Sequence, residues 1–267
     1  MHTVTLPEQH AGKKQGKLTI FSSYFSGAGK SYEMLENAEK AREAGVDVVI
    51  GLLSCEQWPQ TQLLADKFEV LPCKTVIRDG RTDYEMDLDA CLKRAPELIL
   101  ADDISHLNTD DSRHMKRYQD IEELLKAGVD VYTTLNIQHI ESIQDSIFSI
   151  LGHSESERIP DRVFDQATQV EFVDIEPERL QQRLLQQKKG SLLSDCTLSQ
   201  LSALRESDCA VVQIEQHYIP KVPSAGWNTA RVSISWCAFL LRLLMRKSYA
   251  QQHGWQVLSA ANLRHYL

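Results

Sequence analysis

Six residues constrain this chain more than any others. Ser26-Gly27-Ala28-Gly29-Lys30-Ser31 lies between a β-prone run, Leu18-Thr19-Ile20-Phe21, and a helical pattern with Met34, Leu35, Ala38 and Ala41 on one face. A strand, a glycine-rich turn and then Gly-Lys-Ser opening a helix is the order a phosphate-binding loop (P-loop) requires. The glycines let the backbone curl so that successive N–H groups point at phosphate oxygens. The helix N-terminus adds partial positive charge. In such a loop Ser26, Gly27, Ala28 and Gly29 cradle the phosphates and Lys30 reaches the β- and γ-phosphates. The Ser31 hydroxyl ligates Mg²⁺. One position is off pattern, because the first glycine of the consensus falls on Tyr24. Its ring either reshapes the loop entrance or lies near the nucleotide. The competing reading of the whole stretch is an ordinary glycine-rich strand–helix turn.

The remaining chain repeats a strand–helix grammar. Val46 to Leu53 reads as a buried strand, Glu85 to Arg94 as a helix, and Leu98-Ile99-Leu100-Ala101-Asp102 as a strand ending in acid. Tyr118, Ile121, Leu124 and Leu125 mark a helix face, and Val129 to Leu135 another strand. Ala44-Gly45-Val46-Asp47-Val48 recurs as Ala127-Gly128-Val129-Asp130-Val131. In both copies a glycine suits the helix end and valines start a strand. Two handovers of one kind predict parallel βαβ units, with crossover helices covering both faces of the sheet. Val170 to Ile175 reads as one more strand, and Pro177 to Gln187 and Thr197 to Glu206 as helices. The expected fold is an α/β three-layer sandwich of the P-loop NTPase type with a mainly parallel sheet, plus a small C-terminal α/β appendage. Residues 1–16 read as a disordered N-terminus, 17–210 as the P-loop domain, 211–229 as a linker and 230–267 as the appendage.

Magnesium on a nucleotide needs a carboxylate at the end of a neighbouring hydrophobic strand, usually through water. Asp102 is the candidate. Asp103 follows where many ATPases carry a glutamate that orients water, and its reach is shorter by about 1.5 Å. Slow hydrolysis or none is expected. The alternative is that both carboxylates merely end a strand and cap the next segment. Arg113 lies in a basic run with His114, Lys116 and Arg117. It is a candidate for the γ-phosphate, for an acidic partner, or for solvated charge at a helix start. His106 and His114 lack compact zinc-ligand spacing. Asn136 follows a strand end, where ligands of open α/β sheets bind, and capping of the next helix is its other reading.

Composition narrows the function classes. A net charge of −8 and a pI near 5.6 argue against general nucleic-acid binding, which needs a basic face. The six cysteines are scattered without a Cys-x-x-Cys pair, which favours a reducing, cytoplasmic setting over a disulfide framework. Val232 to Met245 is too short to span a bilayer and is interrupted by Arg242, so no membrane span is expected. Cys237 to His253 reads as an amphipathic helix, with Phe239, Leu240, Leu243 and Leu244 facing either a partner or its own domain.

Several stretches together resemble the N-terminal domain of the KdpD family of osmosensitive potassium-channel sensor histidine kinases. They are Gly16-Lys17-Leu18 through Lys30-Ser31, Gly80-Arg81-Thr82 with Glu85-Met86-Asp87-Leu88-Asp89, and Ser112-Arg113-His114-Met115-Lys116-Arg117-Tyr118-Gln119-Asp120-Ile121-Glu122-Glu123-Leu124-Leu125. Asp130-Val131-Tyr132-Thr133-Thr134-Leu135-Asn136-Ile137-Gln138-His139, Ile159-Pro160-Asp161-Arg162-Val163 and Leu201-Ser202-Ala203-Leu204-Arg205-Glu206 continue the resemblance. It covers roughly residues 16–210. It implies a regulatory ATP- and Mg²⁺-binding domain of a potassium-responsive two-component system, with Lys30 and Ser31 as the Walker A pair and Asp102 as the Walker B aspartate. The sequence departs from the family at Tyr24, at Asp103 and at Asn108-Thr109-Asp110-Asp111, which lacks the family's Ala-Pro-Gly turn. Residues 230–260 resemble the opening of the family's universal-stress-like domain. No kinase core follows, so the expected partner is a sensor kinase or response regulator in trans. A slow Mg-dependent NTPase and a nucleotide-free interaction module are the alternatives.

Overall fold

The computed structural model describes residues 15–54, 58–78, 81–187 and 196–207. The expected linker at 211–229, the appendage at 230–267 and the helix at 237–253 lie outside the described residues, as does most of the expected N-terminal tail. Gly16, at the end of that stretch, is described. Its N–H donates to the Leu125 carbonyl at 2.8 Å, and a Cβ on it would stand 2.0 Å from the Val129 carbonyl oxygen. Only glycine fits that approach.

The fold is α/β, with a six-stranded parallel sheet flanked by helices. In chain order the strands are β1 (Leu18–Ser23), β2 (Val48–Leu52), β3 (Glu69–Val70), β6 (Leu98–Ala101), β7 (Asp130–Asn136) and β8 (Gln169–Phe172). A separate antiparallel hairpin pairs β4 (Lys74–Arg78) with β5 (Arg81–Glu85). The sheet order is β3-β2-β6-β7-β1-β8. The helices are α1 (Lys30–Glu43), α2 (Pro59–Ala65), α3 (Leu88–Arg94), α4 (Arg117–Lys126), α5 (Gln144–Leu151), α6 (Asp161–Asp165) and α7 (Pro177–Gln186), and a further helical run covers 198–207.

Among the described residues the chain divides into two compact units. The first is bounded as Met1–Phe21, Ser31–Thr134 and Ala167–Val170, and the second as Ser22–Lys30, Leu135–Gln166 and Glu171–Leu267. The core of the first joins Phe21, Met34, Leu35, Ala38, Val48, Ile50, Leu98 and Leu100. Strands β2 and β6 are buried at every residue, as a parallel sheet covered on both faces requires. The two Ala-Gly-Val-Asp-Val copies close their helices identically. Gly45 and Gly128 both have φ of +93°. Val46 N–H returns to the Ala41 carbonyl and Val129 N–H to the Leu124 carbonyl, each at 3.1 Å. This is the Schellman closure that the left-handed glycine permits.

In the second unit, Leu180 and Leu184 of α7 and Leu201 and Leu204 of the 198–207 run are fully buried. Arg205 pairs with Asp174 at 2.6 Å.

Two expected boundaries move. The helix expected from Glu85 begins at Leu88, because Glu85 is still paired to Lys74 in the hairpin. Asp87 then caps the helix by accepting from Ala90 N–H at 3.2 Å, a good N-cap residue in its usual role. The last strand expected at Val170 to Ile175 runs from Gln169 to Phe172.

Candidate functional site

The glycine-rich turn joins β1 to α1 and makes several polar contacts within the second unit. Gly27 has φ of +87° and Gly29 of +118°, conformations that only glycine adopts cheaply. Lys30 is the first residue of α1. Its Nζ donates to Asn136 Oδ1 at 2.6 Å, to Ser23 Oγ at 3.0 Å and to the Phe25 carbonyl at 3.5 Å. Asn136 also donates from Nδ2 to Ser26 Oγ at 3.2 Å. One amide therefore touches both ends of the loop, and it makes no side-chain cap on the turn that follows. The Tyr24 ring is fully buried, and its hydroxyl donates to the Ile175 carbonyl at 2.9 Å. Tyrosine at the off-pattern position thus anchors the loop entrance to the chain after β8. Arg183 of α7 donates from Nη1 to the Ala28 carbonyl at 3.2 Å. Burial lowers its pKa from the ordinary arginine value.

Within the first unit, Ser31 Oγ donates to Asp102 Oδ2 at 2.9 Å, and Thr134 Oγ1 donates to Asp102 Oδ1. Asp102 is buried at the end of β6. The peptide between Asp102 and Asp103 is cis. Asp103 Oδ1 accepts from Ser105 N–H at 2.9 Å and Ser105 Oγ at 2.8 Å, which is local turn capping by a carboxylate. Arg113 reaches Asp89 and Glu123 on the flank of α3 and α4, so the anions beside it are carboxylates of this chain. Ser31 follows Lys30 by one peptide bond.

A second polar group in this unit escaped the sequence reading. Arg117, buried at 2% exposure, donates from Nη1 to the Asp102 carbonyl at 2.6 Å and from Nη2 to Glu85 Oε2 at 2.7 Å. Glu85 also meets His106 Nε2 at 3.1 Å and the Thr109 N–H at 3.2 Å. Burial pushes the Glu85 carboxyl up, but His106 and Arg117 outweigh it and hold it below the usual carboxylate range. Asp120, burdened by burial and only partly relieved by Asn108, is raised instead. In the sequence Arg117 belongs to the basic run read as facing a γ-phosphate, an acidic partner or solvent at a helix start, and nothing in its spacing points to Glu85 in particular, thirty-two residues earlier.

The donor set fits a nucleotide with magnesium. A hydroxyl and a carboxylate already hydrogen-bonded to each other are what Mg²⁺ takes up, directly and through water, once phosphates supply its other ligands. Among the described residues no group of three or more His, Cys, Asp or Glu side chains could hold a metal alone. No described helix is long and apolar enough to cross a membrane.

Comparison with known proteins agrees over most of the chain. The family described as osmosensitive K⁺ channel His kinase sensor domain, KdpD, matches residues 14–206. The sensor protein KdpD of Clostridium acetobutylicum is 42% identical over 208 residues, covering 75% of this chain and 23% of that protein. The KdpD of Escherichia coli is 44% identical over 183 residues, covering 68% and 20%. That of Mycobacterium tuberculosis is 39% identical over 176 residues, covering 66% and 20%. The chain spans roughly a fifth of the length of these relatives. On that match over most of its length, the chain belongs to the KdpD sensor-domain family.

Proposed function

We propose that this domain binds Mg-ATP on the loop at residues 26–31, in a fold of the P-loop type. We propose further that occupancy of the loop regulates a potassium-responsive two-component system. Lys30 would meet the β- and γ-phosphates, and Ser31 and Asp102 would hold Mg²⁺, directly and through water. The metal supplies charge neutralisation at the phosphates. The partner on this reading is a sensor kinase or a response regulator.

The observation that carries the reading is the 2.9 Å hydrogen bond between Ser31 and Asp102. It joins the residue after the loop lysine to a strand-end carboxylate seventy-one positions away, a pairing a plain strand–helix turn does not need. Asp103 is engaged by Ser105, so hydrolysis is expected to be slow or absent, and a switch fits better than an enzyme.

Titration calorimetry of Mg-ATP, with Lys30→Ala alongside, tests this. Binding in the micromolar range that disappears in the variant supports the switch. No heat from the unsubstituted protein sinks it and favours a second reading, an interaction module without nucleotide. The fit of the Lys30 ammonium into partners of its own unit is what favours that second reading.

A further inference from the structure

Strand β6 ends at Ala101, and Asp102 is held one residue beyond it. Its N–H donates to the Leu52 carbonyl of β2 at 3.0 Å. Its carbonyl oxygen accepts from a side chain, Arg117 Nη1, at 2.6 Å. These two bonds act on the main chain of Asp102. Those from Ser31 and Thr134 act on its carboxylate, and on the nucleotide reading Ser31 also meets the metal.

Arg117 is itself placed by its surroundings. Its Nη2 donates to Glu85 Oε2 at 2.7 Å, and its main-chain N–H donates to the His106 carbonyl at 3.1 Å. His106 Nε2 and the Thr109 N–H meet the other carboxylate oxygen of Glu85. A guanidinium is planar and rigid, so seating one nitrogen on Glu85 fixes where the other meets Asp102. Hydrogen bonds from a charged donor are roughly twice as strong as neutral ones. Glu85 closes β5, so two side chains tie the hairpin to the strand-end aspartate. A buried ion pair is a poor source of net stability, and this one is aimed at the main chain of the candidate metal residue.

We propose that Arg117, oriented by Glu85, is the positioning residue that sets Asp102 for magnesium on the bound nucleotide. The direction of a side chain follows from its own backbone, and Arg117 holds that backbone on the side facing away from the strand ladder. Groups that orient a metal-site side chain matter to metal affinity nearly as much as the side chain itself. The proposal deepens the Mg-ATP reading above and rests on it.

Two variants of the full chain separate positioning from stability. Arg117→Lys keeps a charge opposite Glu85 but has no fork to span both partners. Glu85→Gln together with Arg117→Met removes both buried charges, so that neither is left unpaired. ATP is titrated with and without magnesium, beside melting temperatures. In both variants the Mg²⁺ affinity of the nucleotide complex should fall by about tenfold, while ATP affinity without magnesium stays as in the unsubstituted protein. A full magnesium effect in a folded variant overturns the positioning role and leaves the nucleotide site standing. An equal loss of ATP affinity with and without magnesium also overturns it, as does failure of both variants to fold, since either assigns the pair to the fold alone. Absence of ATP binding by the unsubstituted protein overturns the nucleotide reading and this proposal with it.

Discussion

Arg117 in the first unit and Lys30 in the second are both buried cations, at 2% and 8% exposure, yet they are held by different kinds of partner. Arg117 faces a buried carboxylate, Glu85, and a main-chain carbonyl. The hydrogen bonds of Lys30 include those to two neutral side chains, Ser23 and Asn136, and to a carbonyl. A buried charge opposite a buried charge cannot lose its partner cheaply. A charge held by dipoles can be taken over by a stronger anion at little cost to the fold. The first arrangement suits a fixed support behind Asp102, whereas on the proposed nucleotide reading Lys30 would have to leave these neutral partners for phosphate oxygens.

The largest expected effect attacks the fixed pair. Glu85→Ala leaves Arg117 buried without its carboxylate and should cost about 3–5 kcal/mol in urea unfolding. Lys30→Met should cost only about 1–2 kcal/mol. Equal losses at the two positions would break the contrast.

The same pair carries a pH dependence. The folded Glu85 carboxyl titrates below its ordinary value of 4.5. Its contribution is therefore complete above that pH and is lost as pH falls through the folded value. Unfolding free energies measured from pH 7 down to pH 3 should fall over this acid range, and less steeply in Glu85→Gln.

Next in size is Asp102→Asn. On the proposed Mg-ATP reading it should cost about ten- to a hundredfold in Mg²⁺ affinity of the nucleotide complex, as loss of a group supporting a metal ligand does. Titration of ATP with and without magnesium reads this directly. Retention of the full magnesium effect would remove Asp102 from the metal site.

The smallest effect sharpens the account of the loop. Tyr24→Phe removes the hydroxyl that donates to the Ile175 carbonyl and should lower stability by about 1 kcal/mol, leaving the buried ring in place. A larger loss of Mg-ATP affinity than of stability would mean that the hydroxyl anchor also sets the loop's binding shape.

The local parts of the fold were legible in the sequence because they depend on near neighbours. The repeated Ala-Gly-Val-Asp-Val told of two equivalent helix closures, and both glycines take the left-handed conformation. Of the α1 face expected at Met34, Leu35, Ala38 and Ala41, the first three are fully buried and Ala41 is partly buried. The β4–β5 hairpin was not legible. Its residues are charged and mixed, without the alternation that marks a half-buried strand, and Glu85 looks like a helix start until its pairing with Lys74 is seen. For the candidate site, the loop and its strand-end aspartate could be read from motif order, whereas Arg117 and Arg183 could not.

By itself the sequence determined where the glycines lie, that Lys30 opens a helix, and that Asp102 ends a buried strand, because backbone conformation and hydrophobic periodicity act over a few residues. Only the tertiary structure decided which side chains meet there. Asn136 reaches Lys30 from 106 residues away, Tyr24 reaches Ile175 across 151, and Arg183 reaches Ala28 across 155. Such contacts follow from how strands and helices pack, and no spacing along the chain encodes them.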